Sequence, residues 1–133
     1  MSKPVSITRS YEATPERLFA AWIDVETLER WWGCGVDQLW NVHVWEPTPG
    51  GAVHVSMKFD SGSYEVRGTV AEVEEPHRLV IDWEQGQQIV VLIEASADGS
   101  TMTIEHHGLP DDAMREIVTG GWSVSVENIR KVL

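Results

Sequence analysis

Apolar and polar residues alternate with a period of two in seven separate runs of the chain. The first such run covers Val5, Ile7 and Tyr11, and later runs cover about residues 42–45, 53–59, 64–75, 78–84, 87–95 and 101–107. Strict alternation is typical of strands with one buried face. Turn residues such as Pro49-Gly50-Gly51 and Asp98-Gly99 separate the runs. The pattern therefore predicts an antiparallel meander, with a loop at residues 34–41.

Two short helices are predicted between the first two strands. Thr14 and Pro15 form a start signal, because a threonine hydroxyl caps a helix and proline fits its first position. A second helix is expected from Asp24. Its apolar stripe should continue the first, with Val25 on the face of Leu18 and Trp22. Of the adjacent residues 31 and 32, both tryptophan, we expect only one to face the core.

A long helix is predicted at the C-terminus, from Pro110-Asp111-Asp112 to about Val132. Acidic residues in its first turn and Arg130-Lys131 in its last suit the helix dipole. Residues 122–126 alternate with period two and, taken alone, favour a strand, and Gly120-Gly121 disfavours a helix interior. The family resemblance described below decides for the helix.

The composition predicts one globular domain over residues 1–133. Seven Trp against two Phe and two Tyr is unusual, and such rings normally line cores, cavities or interfaces. A formal charge of −11 repels phosphate backbones and anionic lipid, which argues against nucleic-acid and membrane-surface binding. The lone Cys34 excludes an internal disulfide, and no apolar signal region precedes the first strand. We therefore expect a cytoplasmic protein.

Motifs distributed over nearly the whole chain resemble those of one family. They are Pro15-Glu16-Arg17-Leu18-Phe19, Arg30-Trp31-Trp32-Gly33, Pro49-Gly50-Gly51, Glu74-Glu75-Pro76, Arg78-Leu79, Trp83, Thr101-Met102-Thr103-Ile104-Glu105-His106 and Gly121-Trp122. In this order they resemble the SRPBCC superfamily of START-like proteins, within it the group named after the activator of the Hsp90 ATPase. The resemblance implies an α+β helix-grip fold, in which a curved antiparallel sheet of about six or seven strands wraps a long C-terminal helix and leaves a cavity.

The residues expected to line such a cavity are mostly aromatic or apolar. They are Trp32, Trp40, Val55, Met57, Trp83, His106, Trp122, Ser125 and Asn128. Flat indole rings give apolar walls, and Ser125 and Asn128 on the last helix would supply polar contacts. The alternatives are a Trp-rich core without a ligand, and hydroxyl and amide groups bonded to helix carbonyls.

His106-His107 is the first candidate for chemistry. Adjacent strand residues point to opposite faces, so the pair cannot share one metal ion. His106 shares the face of Met102 and Ile104 and should look inward. There it is either a hydrogen-bonded core histidine or an acid–base group with Glu105 or Glu46 as a partner. Glu105 should point away from it, which leaves that base without an orienting group.

His43 and His54 form the second candidate. If Glu46 pairs with Gly51, the residues Val42 and Val44 lie inward, opposite Val55 and Val53. His43 then lies opposite His54 on the outer face, with Trp45 also outward, and Glu46 at an inner strand end. Two imidazoles are half of a zinc site, but the sequence pattern indicates no further ligand, so we expect a surface pair, no metal and no cofactor.

Three functions stay open from the sequence. The first is binding of an apolar or aromatic small molecule without catalysis, which the helix-grip resemblance implies, since similar folds bind lipids, steroids, plant hormones and polyketides. The second is a cyclase, dehydratase or hydrolase that uses His106. The third is a co-chaperone whose partner is a chaperone ATPase. The expected assembly is a monomer or homodimer.

Overall fold

The computed structural model describes residues 3–35, 38–59 and 61–133. The strands are β1 (Val5–Tyr11), β2 (Gly33–Gly35), β3 (Gln38–Leu39), β4 (Asn41–Trp45), β5 (Ala52–Phe59), β6 (Gly62–Glu74), β7 (Arg78–Asp82), β8 (Gln88–Ser96) and β9 (Gly99–His107). The helices are α1 (Pro15–Ile23), α2 (Val25–Trp31) and α3 (Asp112–Asn128), with 3-10 turns at Glu84–Gly86 and Ile129–Lys131.

Seven strands form one antiparallel sheet in the order β1-β9-β8-β7-β6-β5-β4. Consecutive strands from β4 to β9 are neighbours, and β1 closes the far edge beside β9. The long helix α3 packs on this sheet and on the small β2-β3 pair. The α+β helix-grip architecture expected from the sequence is thereby confirmed. No helix in the described ranges has the length and hydrophobicity of a membrane span.

The predicted loop at residues 34–41 is wrong. β2 and β3 pair as a second, two-stranded sheet, and β4 already begins at Asn41. The amide of Trp40 donates to the carbonyl of Trp32 at 2.9 Å, which closes this short hairpin. A run this short carries no periodicity, so its pairing cannot be read from the sequence. The side chain of Cys34 lies outside the described residues.

Both adjacent tryptophans are buried in the core, against the prediction for only one. α2 ends at Trp31, and Trp32 is already extended, with φ −84° and ψ 119°. The two rings therefore leave the backbone in different directions. Trp31 meets Trp22 edge-on at 4.7 Å between centroids, whereas Trp32 stacks on Trp122 at 6.5 Å.

The boundary between the two helices also changes the predicted stripe. Thr14 caps α1 as expected, since its hydroxyl accepts from the amide of Arg17 at 3.2 Å. Asp24 interrupts the helix with φ −79° and ψ 114°. The face of Leu18 and Trp22 therefore does not continue, and Val25 is 37% exposed rather than buried.

A β-bulge in β4 alters the predicted register with β5. Val42 lies opposite Val55 as expected, but Val44 lies opposite His54 and Trp45 opposite Val53. A bulge sets two residues of one strand against one of its partner. Val44 is therefore exposed, and Trp45 turns inward, where its indole N–H donates to the carbonyl of Ile23 at 3.2 Å. The predictions for both residues are wrong.

The predicted pairing of Glu46 with Gly51 is also wrong. The amide of Glu46 donates to the carbonyl of Ala52 at 3.0 Å, and its carboxylate accepts from the amide of Ala52 at 2.9 Å. The Glu46 side chain is exposed. It caps the hairpin and does not lie on the inner face.

α3 runs through the stretch whose alternation favours a strand. Asp111 caps it by accepting from the amide of Met114 at 2.9 Å, and the helix passes through Gly120-Gly121. The hydroxyl of Tyr11 donates to the carbonyl of Val126 at 2.8 Å and fixes the helix to β1. Burial of Trp122 and Val126 against the sheet therefore outweighs the local preference.

Gly120→Ala should raise the free energy of unfolding by about 0.5–1 kcal/mol, because alanine costs less backbone entropy in a helix. Gly120 is exposed, and an added Cβ would meet nothing within 4 Å. The contrasting variant is Gly99→Ala. Its φ is +153°, and its Cβ would run into the carbonyl oxygen of Tyr11. Urea titrations should show stabilisation in the first variant and destabilisation in the second.

Candidate functional site

A largely apolar cavity of about 340 Å³ lies between the N-terminal half of α3 and the sheet, beside the turn that joins β7 to β8. Its lining comprises Trp32, Gly33, Trp40, Met57, Tyr64, Trp83, Glu84, Gln85, Gln87, Ile89, His106, Met114, Ile117, Val118, Gly121 and Trp122. Its size lies at the lower end of the range that small-molecule sites occupy.

The cavity lining contains the tryptophans Trp32, Trp40, Trp83 and Trp122. Their rings form one continuous surface, here called the aromatic wall. Trp32 is central, and its ring centroid lies 6.0 Å from Trp40, 5.6 Å from Trp83 and 6.5 Å from Trp122. Tyr64 extends the wall at 6.3 Å from Trp40. A rigid wall of this kind offers a large contact area at low entropic cost.

The turn after β7 positions the polar rim of the cavity. Gln85 has φ +53° and Gly86 φ +75°, so the chain reverses sharply there. The amide of Trp83 donates to the carbonyl of Gln87 at 2.8 Å and closes the turn. Burial raises the pKa of Glu84 in the same turn.

His106 lies at the inner end of the cavity and is 5% exposed. The indole N–H of Trp122 donates to its Nδ1 at 3.1 Å, so Nδ1 carries no proton. In the neutral ring Nε2 then holds the proton and donates to Oε1 of Gln87 at 2.7 Å. Burial, with a smaller contribution from the neighbouring His107, lowers the pKa of His106 to about 4.

The structure brings six of the nine predicted cavity residues together: Trp32, Trp40, Met57, Trp83, His106 and Trp122. Val55, Ser125 and Asn128 are buried but do not line the cavity.

The two polar residues of this group hold structural bonds. The hydroxyl of Ser125 donates to the carbonyl of Gly33 at 2.6 Å and accepts from its amide at 3.1 Å, and the amide of Asn128 donates to the carbonyl of Trp31 at 3.4 Å. Ser125 joins α3 to β2 and Asn128 joins it to the end of α2, rather than bonding to carbonyls of their own helix.

Sequence reasoning missed two parts of the cavity, the polar contact that Gln87 makes with His106 and the exposed apolar residues at the mouth. Gln87 belongs to a turn, and no periodicity assigns a direction to its side chain. Met114 on α3 is 39% exposed, and Ile117, one turn further along, is 68% exposed.

A second, larger cleft of about 730 Å³ lies at another part of the surface, near the end of the chain. Its lining is mostly polar or charged and includes Glu12, Arg17, Asp98 and Arg130. Charged side chains of both signs at a surface are ordinary solvated groups. The apolar cavity with its few polar groups is therefore the better candidate for a binding site.

The family model described as activator of Hsp90 ATPase homolog 1-like protein (AHSA1) matches residues 12–133. The chain belongs to this family. No curated protein matches its sequence. Among solved structures, a Chromobacterium violaceum protein covers 99% of this chain and 97% of its own length with a TM-score of 0.88 and 20% identity. An AHSA1 protein of Silicibacter pomeroyi covers 97% of this chain and 96% of its own length, with a TM-score of 0.83 and 22% identity.

An Arthrobacter aurescens protein solved by NMR is similar at 26% identity and a TM-score of 0.79, over 96% of this chain and 83% of that protein. These likenesses concern the fold of the AHSA1 family. A shared fold does not fix the chemistry of a site, which depends on the residues that line the cavity of this AHSA1-family protein.

The arrangement in this AHSA1-family protein suits recognition better than proton transfer. Both ring nitrogens of His106 are engaged, and Glu105 pairs with His107 on the other face at 2.9 Å. The amide nitrogen of Gln87, whose oxygen is bonded to His106, remains as a donor in the lining of the cavity.

Proposed function

We propose that this AHSA1-family protein binds a neutral apolar or aromatic small molecule in its cavity, in the cytoplasm and without catalysis. The observation that carries the proposal is the aromatic wall open to a mouth of exposed apolar residues. Met114 is 39% and Ile117 68% exposed, although the core behind them is well packed. Exposed apolar surface beside a concave site is a mark of ligand binding.

The charge of the lining favours a neutral ligand. No Lys or Arg is among the described residues that line the cavity, and Glu84 lies at the rim. An anion would meet this carboxylate and a protein of net charge −11. The donor amide of Gln87 favours a ligand with a carbonyl or ether oxygen. A flat aromatic ketone or amide is the class that combines these properties.

The geometry of His106 supports binding over catalysis. A general base needs a free nitrogen within reach of its substrate and a pKa near the working pH. His106 has both nitrogens hydrogen-bonded, and its pKa of about 4 lies well below neutrality. Glu46, the other proposed partner, is exposed at a hairpin rather than lining the cavity.

The family takes its name from an activator of the Hsp90 ATPase. A protein partner of that kind would require a docking surface, whereas the cavity accounts for the clustered tryptophans by itself. We therefore propose a small-molecule ligand as the primary partner.

The test uses the neutral fluorophore N-phenyl-1-naphthylamine, titrated into the full chain while indole emission is followed. We expect saturable binding at one site with energy transfer from the aromatic wall. Val118→Trp should weaken binding by about tenfold or more, because the larger ring occupies the cavity without removing a hydrogen bond. A tenfold change corresponds to a loss of roughly 1.4 kcal/mol of binding free energy.

Trp45→Phe is the matched control. It changes a partly buried tryptophan that does not line the cavity, so probe affinity should stay within about twofold of the wild type. Equal affinity in Val118→Trp and the wild type, or an equal loss in Trp45→Phe, would show that the probe binds elsewhere and would contradict the proposal.

A further inference from the structure

The outer face of the sheet carries a cluster on three neighbouring strands, away from the cavity. His43 on β4, His54 on β5 and Glu65 on β6 each offer one ligand atom, and these atoms lie within 4.8 Å of one another. Among the residues that the structure describes, it is the one group of three such side chains. We call it the His–Glu cluster.

Strand register builds the cluster. Glu65 lies opposite Ser56, two residues along β5 from His54, so both side chains share one face. The bulge places His43 on that face as well, because Val42 and Trp45 both turn inward and leave the two residues between them outward. The imidazole centroids of His43 and His54 are 4.7 Å apart.

The contacts within the cluster bring its donor atoms close together. Nε2 of His54 lies 3.2 Å from Oε1 of Glu65. Nε2 of His43 lies 2.6 Å from the hydroxyl of Ser56, which would act as an outer partner to an ion held by Nδ1. Zinc holds nitrogen and carboxylate ligands at about 2.0–2.2 Å. The three ligand atoms, which lie within 4.8 Å of one another, therefore need to move together by about an ångström to reach one ion. The exposed side chain of His43 has room for that movement.

We propose that the His–Glu cluster binds a zinc ion through two imidazoles and one carboxylate, with a fourth position open to water. Two nitrogens and one oxygen are a donor set that zinc accepts, whereas magnesium and calcium prefer oxygen ligands alone. The net charge of −11 favours any cation. Bound zinc would join the edge strand β4 to β5 and β6.

Arg67 opposes the cation. It lies opposite His54 in the register, on the same face, and is exposed. Its removal is therefore expected to tighten zinc binding, a change that a purely structural role of the cluster would not produce.

The test is calorimetric titration of zinc chloride into the untagged full chain after chelator treatment and dialysis. We expect one zinc ion per chain. Loss of outer partners typically costs 10–100-fold in affinity, so loss of a ligand in His54→Gln or Glu65→Gln should cost about 100-fold or more. Arg67→Gln should tighten binding about threefold or more, by removal of a nearby like charge.

His107→Gln is the matched control. His107 also contacts a glutamate, at 2.9 Å from Glu105 on the same sheet, but its neighbour His106 points to the opposite face, and among the described residues it belongs to no group of three ligands. Its affinity for zinc should equal that of the wild type. The proposal is overturned if the wild type takes up no zinc, if His54→Gln binds as tightly as the wild type, or if His107→Gln loses as much affinity as His54→Gln. Circular dichroism of each variant reports whether it is folded.

Discussion

Trp31→Ala should lower the free energy of unfolding by about 3–5 kcal/mol, the range for removing a large buried ring. Trp31 is 0% exposed and meets Trp22 edge-on. Its indole N–H also donates to the carbonyl of Ala21 at 3.0 Å, which the substitution leaves without this donor. Urea unfolding followed by circular dichroism measures the loss.

Trp83→Ala is the control for Trp31→Ala. Trp83 is only partly buried and lines the cavity, so its loss should cost about 1–2 kcal/mol of stability while it weakens probe binding. Equal destabilisation by the two variants would contradict the division between a folding core and a binding wall.

Acid should destabilise the wild type more than His106→Gln. The pKa of His106 is about 4 in the folded protein, against 6.5 ordinarily, because the charged ring is poorly solvated. Between these values the unfolded chain binds more protons, so the free energy of unfolding falls as the pH falls through this window. Its full contribution is present above pH 6.5 and amounts to about 3 kcal/mol.

Glutamine at position 106 keeps a donor and an acceptor but does not titrate. We expect the wild type to lose about 2–3 kcal/mol more than His106→Gln between pH 7.5 and pH 4.5, from urea titrations at both values. Carboxylates elsewhere affect both proteins equally and cancel in the difference. If both proteins lost the same free energy of unfolding over this pH range, His106 would not be held neutral by its surroundings.

The two proposed activities, ligand binding in the cavity and zinc binding at the His–Glu cluster, should be separable. The cavity lies between α3 and the inner face of the sheet, and the His–Glu cluster lies on the outer face. Variants in one place should therefore leave the other unchanged, since distant sites without shared partners are usually additive.

The sequence by itself determined the fold class and the elements with a regular period. Local rules account for the alternation in β5 to β9, the Thr14 cap and the turn residues. Successive side chains of a strand point to opposite faces, so the sequence assigns each one to a face. The inward direction of His106, and the outward direction of Glu105 and His107, follow from this same rule.

Tertiary structure decided the backbone conformation and side-chain directions at positions where local rules conflict or are absent. The β4 bulge exchanged the directions of Val44 and Trp45, because burial of the indole outweighs strict alternation. α3 remains helical through residues 122–126, because its buried side chains gain more from packing than they lose in propensity.

The sites depend on contacts between residues distant in the sequence. Gln87 reaches His106 across a turn, and Ser125 bonds the backbone of Gly33 rather than a ligand. Two histidines suggested only half of a zinc site until strand pairing placed Glu65 beside them. Periodicity assigns a side chain to a face of its own strand, whereas the register between strands and the packing of helices decide which side chains meet.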